Sequence, residues 1–375
     1  MERIETETAI VGGGIAGCAT ALYLARRNVP VVLLEKGFAG AQASGVNFGG
    51  VRRQGRHLAE LPLAERARAI WPRLAEVVGD ACEYAVTGHL KLAMSDAELA
   101  ELDDYARAAK PCGLDLEVMG GEAARRRFPW LGEAIAGASW CPGDGSANPR
   151  LVGPAFARAA RGAGAEVREQ AEAVAFDHDG AHFTIVTENG LEVRARRLVN
   201  AAGAWGGEIA AAFGEPVPIA ATAPQMVVTE PGSCFIAPVL GMCGTGIYLR
   251  QIPRGNVVFG GGRGVADTGA SRSYVLPEAT LATGALALRI IPRLAGLHII
   301  RVWTGIEGEM PDAIPVIGPS RTTPGLFHAF GFSGHGFQLG PVMGEILGEL
   351  VLNGETESPI DAFDIGRFAG AGCRG

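Results

Sequence analysis

Nowhere does the chain run apolar for the roughly 20 residues that a membrane-crossing helix needs. No basic lead precedes an early hydrophobic stretch either, so no export signal is expected. Positive charge is in deficit, with 33 Lys and Arg against 40 Asp and Glu for a net charge of −7. The basic footprint required to hold nucleic acid is therefore missing. Seven cysteines (Cys18, Cys82, Cys112, Cys141, Cys234, Cys243 and Cys373) form no CxxC and no Cys/His spacing of a zinc or iron–sulfur site. They read as reduced, mostly buried thiols, and no metal site is expected. Only 19% of residues are charged while 48% are hydrophobic, which excludes a disordered chain. What is left is a soluble, cytoplasmic protein whose 375 residues suffice for two domains with real cores.

Glycine is in excess instead. The 55 glycines are about twice the usual share, without a collagen period or low-complexity tract. Spread through a globular chain, they suggest main chain pressed closely against a large ligand. The first cluster shows how. Thr8, Ala9, Ile10 and Val11 read as a strand, followed by Gly12, Gly13, Gly14, Ile15, Ala16 and Gly17, then a helix rich in Ala and Leu over residues 18–27. After Pro30 a second apolar strand, residues 31–35, ends on Glu35, with Lys36 next. In this order each part has a task. Gly12 permits the tight turn, Gly14 lets amides touch a pyrophosphate, and Gly17 lets helix and strand pack closely. The helix start supplies unsatisfied donors and positive dipole, and Glu35 can accept both ribose hydroxyls. An adenine dinucleotide without a 2′-phosphate is the expected ligand.

The next segment decides between FAD and NAD. Residues 40–54 contain Ala43, Ser44, Asn47, Gly49, Gly50, Arg52 and Arg53, a run of small and polar residues suited to a ribityl chain and flavin edge. Further along, residues 198–205 read as a buried strand ending in small residues, with Ala202, Gly203 and Trp205 at its end. A last Gly-rich loop holds Gly334, His335, Gly336, Phe337 and Gln338 ahead of a helix over residues 342–352. On these four motifs the chain resembles the D-amino-acid oxidase or glycine/sarcosine oxidase family of flavoproteins. Within it the pattern is most similar to β subunits of amine and imino-acid dehydrogenases, such as D-hydroxyproline dehydrogenase and opine oxidase.

The resemblance implies FAD and places Ala202 and Gly203 against the dinucleotide, with the main chain of Val174 at the adenine. It sets Gly334, Gly336, Phe337 and Gln338 against the flavin, where amides and a helix dipole stabilise the negative charge gathered on reduction. Lys36, Ala43, Gly49, Gly50, Trp205, Gly305 and His335 complete the implied cofactor set. Two departures stand out. Glu307 occupies the place where glycine oxidases carry an arginine for the substrate carboxylate, and Gly334 stands where a second arginine is common. Residues 305–312 also lack the cysteine that tethers flavin in the sarcosine oxidase branch, so FAD is expected to be noncovalent.

Two Asp/Asn-Gly turns, at residues 179–180 and 189–190, mark hairpins among strands at residues 173–176, 183–187 and 191–193. Residues 76–147 and 216–300 show short alternating strands, such as 88–94 and 225–229, and a charged helix over 95–110. The expected fold is α/β (α+β overall): a discontinuous Rossmann-type FAD-binding domain (residues 1–75, 148–215 and 301–375) interleaved with a mostly antiparallel β-sheet substrate domain (76–147 and 216–300).

Candidates for the substrate carboxylate are Arg52 and Arg53 near the flavin edge, and Tyr248 with Arg250, two apart on one strand face. Solvated or packing roles stay open for each arginine. Glu307 is expected to face the pocket, and His335 to lie near flavin or substrate. The reaction expected is oxidation of the C–N bond of a D-amino acid, cyclic imino acid or N-substituted amino acid by hydride transfer to flavin N5, with no protein acid or base strictly required. Electrons would pass to partner subunits carrying further redox cofactors, or to oxygen. A C–O oxidoreductase acting on a 2-hydroxyacid, and a non-catalytic FAD subunit of a larger assembly, remain alternatives.

Overall fold

The computed structural model describes residues 2–244 and 246–369. Of the cysteines, Cys373 lies outside the described residues, Cys112 and Cys234 are exposed, and Cys18, Cys82, Cys141 and Cys243 are buried as free thiols. Among the described residues no helix is long and apolar enough to cross a membrane.

The first strand, β1 (Arg3–Val11), starts five residues before the apolar run because its outer half alternates charge with Ile4 and Thr6. Helix α1 (Ile15–Ala25) and strand β2 (Val31–Leu34) follow as the fingerprint demands. In space the parallel strands run Glu166–Arg168, β2, β1, Glu192–Asn200 and Leu326–Phe330. In chain order that is 3-2-1-4-5, the doubly wound arrangement, with its switch point between β1 and Glu192–Asn200. The strand Glu192–Asn200 joins two segments that read as separate in the sequence. Its middle is arginine-rich, yet Val193 and Ala195 point into the core while Arg197 turns out to pair with Glu7. The two expected hairpin turns do join Ala173–His178, Phe183–Thr187 and the start of this strand.

The C-terminal helix spans Gly336–Asn353 and so begins six residues before the expected start, keeping Pro341 inside. A proline there removes one backbone bond, and burial along the whole helix compensates. Gly340, Gly344 and Gly348 form a seam against Ile15, Ala19 and Tyr23 of α1. A Cβ at Gly344 would lie 2.6 Å from the Ala19 carbonyl oxygen.

A second sheet of eight strands has its own core of Leu90, Leu92, Val227, Leu249 and Phe259. It is antiparallel except where Val239–Met242 runs parallel to His89–Ala93. Helix Asp96–Ala109, capped by Ser95 accepting from the Glu98 amide, and helix Pro277–Ile290 flank it. The strand Ile299–Thr304 belongs to this sheet and crosses the expected boundary at residues 300/301.

Candidate functional site

Between the two sheets lies a cavity of about 1240 Å³. That exceeds the usual 300–1,000 Å³ of a small-ligand pocket and leaves room for a dinucleotide with a second, small molecule. The cavity opens at the switch point. Gly12, at φ +112°, brings the chain so near the end of the neighbouring strand that a Cβ would lie 2.3 Å from the Ala201 carbonyl oxygen. Gly17 does not line the cavity but lets α1 approach the turn, since its Cβ would sit 2.0 Å from the Gly12 oxygen. Gly14, Ile15 and Ala16 do line it at the helix start.

Two side chains brace this loop. Ser44, in the short helix α2 (Ala43–Val46), accepts from the Ile15 amide at 3.0 Å. Glu35 accepts from the Gly13 and Gly37 amides, each at 2.7 Å. Its carboxyl pKa is pushed up by burial, while the two amides counteract the rise. The carboxylate thus orders the turn as well as facing the cavity. At the outer end Val174 is exposed along the opening, and Lys36 lies over the Trp205 ring at 3.1 Å. Lys36 also donates to Ser271 and the Trp205 indole donates to the Thr268 carbonyl. A separate two-stranded hairpin, Val265–Asp267 with Arg272–Tyr274, is thereby fastened across that end. Ala202 and Gly203 line it too.

Toward the middle, Ala43, Asn47 and Gly50 line the cavity. The Asn47 side chain is used by its own loop, donating to Ala43 and Ser44 and accepting from Gly49. Gly49 lies outside the lining, under Ala147, where a Cβ would be 2.1 Å from the carbonyl oxygen. Gly305 passes so near Val46 that a Cβ would lie 2.2 Å from it. Gly334, Gly336, Phe337 and Gln338 line the cavity at the head of the C-terminal helix, and the buried Gln338 Oε1 has no partner among the described residues. An amide-lined turn, a glycine cradle and an unanswered acceptor fit an FAD laid from α1 to this helix.

The substrate candidates divide. Tyr248 and Glu307 face the cavity. Tyr248 packs against Phe48 with centroids 4.6 Å apart and the rings tilted by 36°, and burial beside Glu307 and Glu309 raises its pKa. Glu307 accepts from the Gly334 amide at 2.6 Å, and burial pushes its carboxyl up to about 7. Arg53 and Arg250 do not line the cavity, which corrects the expectation for both. Arg53 is spent on Glu65 at 2.6 Å and Asp144 at 3.3 Å. Arg250 shares its strand with Tyr248, but its guanidinium is turned onto Gly49, beyond the cavity wall. Arg52 does line the cavity; its one side-chain bond goes to the Gln54 carbonyl at 2.6 Å.

His335 caps the C-terminal helix and its Nδ1 meets the buried Glu60 carboxylate at 2.7 Å. Burial drives its pKa down to about 4, so the ring is neutral at pH 7, while the Arg56 guanidinium 3.7 Å away helps keep Glu60 ionised.

Several lining residues escaped the sequence reading: Arg56, His89, Lys91 and Tyr105. A signal existed for two of them. His89 and Lys91 alternate with the core residues Leu90 and Leu92, so both turn to the face opposite the core. Gln54 donates to the Ser139 carbonyl and therefore presents Oε1 to His89 Nδ1 at 2.8 Å. That fixes the tautomer with the Nδ1 proton and leaves Nε2 as an acceptor. Burial, with Arg52 and Lys91 nearby, holds this imidazole well below its ordinary pKa.

Comparison with known proteins returns a family model described as FAD dependent oxidoreductase, matching residues 7–350. A glycine oxidase of Geobacillus kaustophilus is 28% identical, with 97% of each chain covered. A subunit of the opine oxidase of Rhizobium meliloti is also 28% identical, over 97% of this chain and 98% of that one. Among solved structures, an L-proline dehydrogenase from P. horikoshii superposes with a TM-score of 0.89 at 29% identity, covering 98% of both chains.

Proposed function

Because the chain belongs to the FAD-dependent oxidoreductase family, we propose that it oxidises the C–N bond of a carboxylate-bearing amino or imino acid, and passes the electrons to a partner protein. FAD is the cofactor, and when bound it supplies the hydride acceptor. The observation that carries the reading is the pairing, in one cavity, of an arginine that no carboxylate engages with a carboxyl whose pKa lies near neutrality. Arg52 offers a planar fork to the substrate carboxylate. The Tyr248 hydroxyl adds a hydrogen bond from the second sheet.

Glu307 replaces the arginine of the usual pattern and changes its task. An amine must be neutral before it can release a hydride, yet amino acids enter as ammonium ions. With one oxygen held by the Gly334 amide, the other oxygen of Glu307 can take that proton. A carboxyl with a pKa of about 7 is matched to the exchange. Delivery to a partner is supported by the opine oxidase relative, which is named as a subunit. It is also supported by apolar side chains left exposed on the second sheet (Ile299 and Ile300), on the helix Pro277–Ile290 (Leu281) and on the hairpin strand Arg272–Tyr274 (Tyr274).

Anaerobic mixing with D-proline, 4-hydroxy-D-proline, sarcosine, opines and 2-hydroxyacids tests the proposal. Bleaching of the flavin band by one of the amines is expected. Bleaching by a hydroxyacid alone would mean C–O chemistry, and no bleaching by any compound would mean a cofactor-binding subunit without this activity. With an active amine, reoxidation by an artificial acceptor should outpace reoxidation by oxygen.

A further inference from the structure

Beyond Arg52, a second positive charge in the cavity, Lys91, forms no ion pair among the described residues. Lys91 projects from the strand His89–Ala93 into the inner end, where Leu102, Tyr105 and Cys243 also line the wall. Its Nζ lies against Gly55, 2.8 Å from where a Cβ would be, and 5.9 Å from the Tyr105 ring centroid. The acids of the region are engaged elsewhere. Asp144 and Glu65 pair with Arg53, and Glu60 pairs with Arg56 and His335. Glu101 also lines the cavity and attracts Lys91 without pairing with it; it is exposed and takes the Cys243 thiol at 3.3 Å. Among the described residues no carboxylate comes within 4.0 Å of Lys91 or of Arg52.

We infer that Lys91 anchors a second acidic group of the substrate, so that the molecule oxidised is an amine carrying two carboxylates, one on Arg52 and the other on Lys91. This rests on the carboxylate role given to Arg52 above. The argument is one of charge. A desolvated ammonium without a partner is costly, and a monocarboxylate would satisfy Arg52 while leaving Lys91 unanswered. Burial and the neighbouring guanidinium already depress the lysine's pKa, and a bound carboxylate would reverse that. Lys91 reaches the cavity from the second sheet and Arg52 from the segment after the short strand Gly50–Val51, and both stand beside Gln54 and Gly55, so two neighbouring cations face one bound molecule.

The test is calorimetric titration of the FAD-loaded protein with compounds that contain no amine: succinate and glutarate, against propionate and butyrate. At least one diacid is expected to bind about ten- to hundredfold more tightly than its monoacid. Lys91→Met should abolish that preference and leave monoacid binding unchanged, and Lys91→Arg should restore part of it. Equal binding of diacids and monoacids by the unaltered protein would overturn the inference, whether or not the Met variant folds. So would an equal loss for both classes in Lys91→Met. Arg52→Met separates the two readings. It should weaken monoacids and diacids together, and unchanged monoacid affinity would sink the role of Arg52 without touching the result for Lys91.

Discussion

Individual side chains in this cavity are set by what surrounds them more than by their type. Glu307 is the case with the clearest consequence. Its folded-state pKa of about 7 lies above the ordinary value of 4.5, so the proton acceptor forms only as pH rises through neutrality. With an oxidisable amine, kcat/KM should climb across pH 7. In Glu307→Gln that limb should vanish, leaving the amine's own higher ionisation, with a loss of about 10²-fold at pH 8. An unchanged profile would remove Glu307 from proton transfer. His335 shifts the opposite way, from 6.5 down to about 4. The unfolded chain therefore binds its proton more readily between those values, and stability should fall as pH drops from about 6.5 toward 4. His335→Gln should flatten that part of a Tm–pH curve. Glu35 belongs to the same scale. Its bonds to the Gly13 and Gly37 amides order the turn that receives the dinucleotide, so Glu35→Ala should weaken FAD retention by about 1.5–3 kcal/mol. Flavin occupancy after purification reads this directly.

Among the elements, α1 and the C-terminal helix matter most, because both present their N-termini to the cavity. Their spacing is fixed by Gly340, Gly344 and Gly348 packed on α1. Gly344→Val would force the helices apart against backbone, not a movable side chain. Overpacking of this kind costs about 1–3 kcal/mol, and here it should lower both Tm and flavin occupancy; an unaltered Tm would count against the seam. This is also where the sequence was only partly legible. The strand–turn–helix of the N-terminus could be read because glycine spacing, apolar runs and Glu35 all point to one geometry. The glycine seam is only half visible in the sequence: residues 336–341 read as a loop, which hides Gly340, and nothing local to Gly344 and Gly348 says that α1 packs against them. Arg53 and Arg250 misled for a related reason: charge and position suggest a ligand, but only tertiary packing reveals the acids beside Arg53 and the turn of Arg250 onto Gly49. Lys91 and His89 were visible as an alternation, yet nothing local says which face of a strand meets a cavity.

At the scale of the whole molecule, the cavity lies between two separate hydrophobic cores. The doubly wound sheet and the antiparallel sheet each have their own core, and the residues lining the cavity come from both. A dinucleotide seated there would bridge the two. FAD should therefore act as a structural tie, stabilising the native state by about 2.7 kcal/mol when free FAD stands at a hundred times its Kd. The tie is expected to be noncovalent. Cys243 is the described cysteine that lines the cavity, and burial together with the Glu101 carboxylate raises its pKa and keeps it a protonated thiol, a poor nucleophile. Acid precipitation should accordingly release the yellow chromophore into the supernatant, and colour retained in the pellet would contradict this. Calorimetric scans of the stripped protein should then show a lower Tm that climbs with added FAD. If the flavin joins the two sheets, the stripped protein should also unfold in two transitions that merge into one on reloading. A single transition at every FAD concentration would mean that the sheets hold each other without the cofactor, through contacts such as the Trp303 indole on the Val46 carbonyl at 2.7 Å.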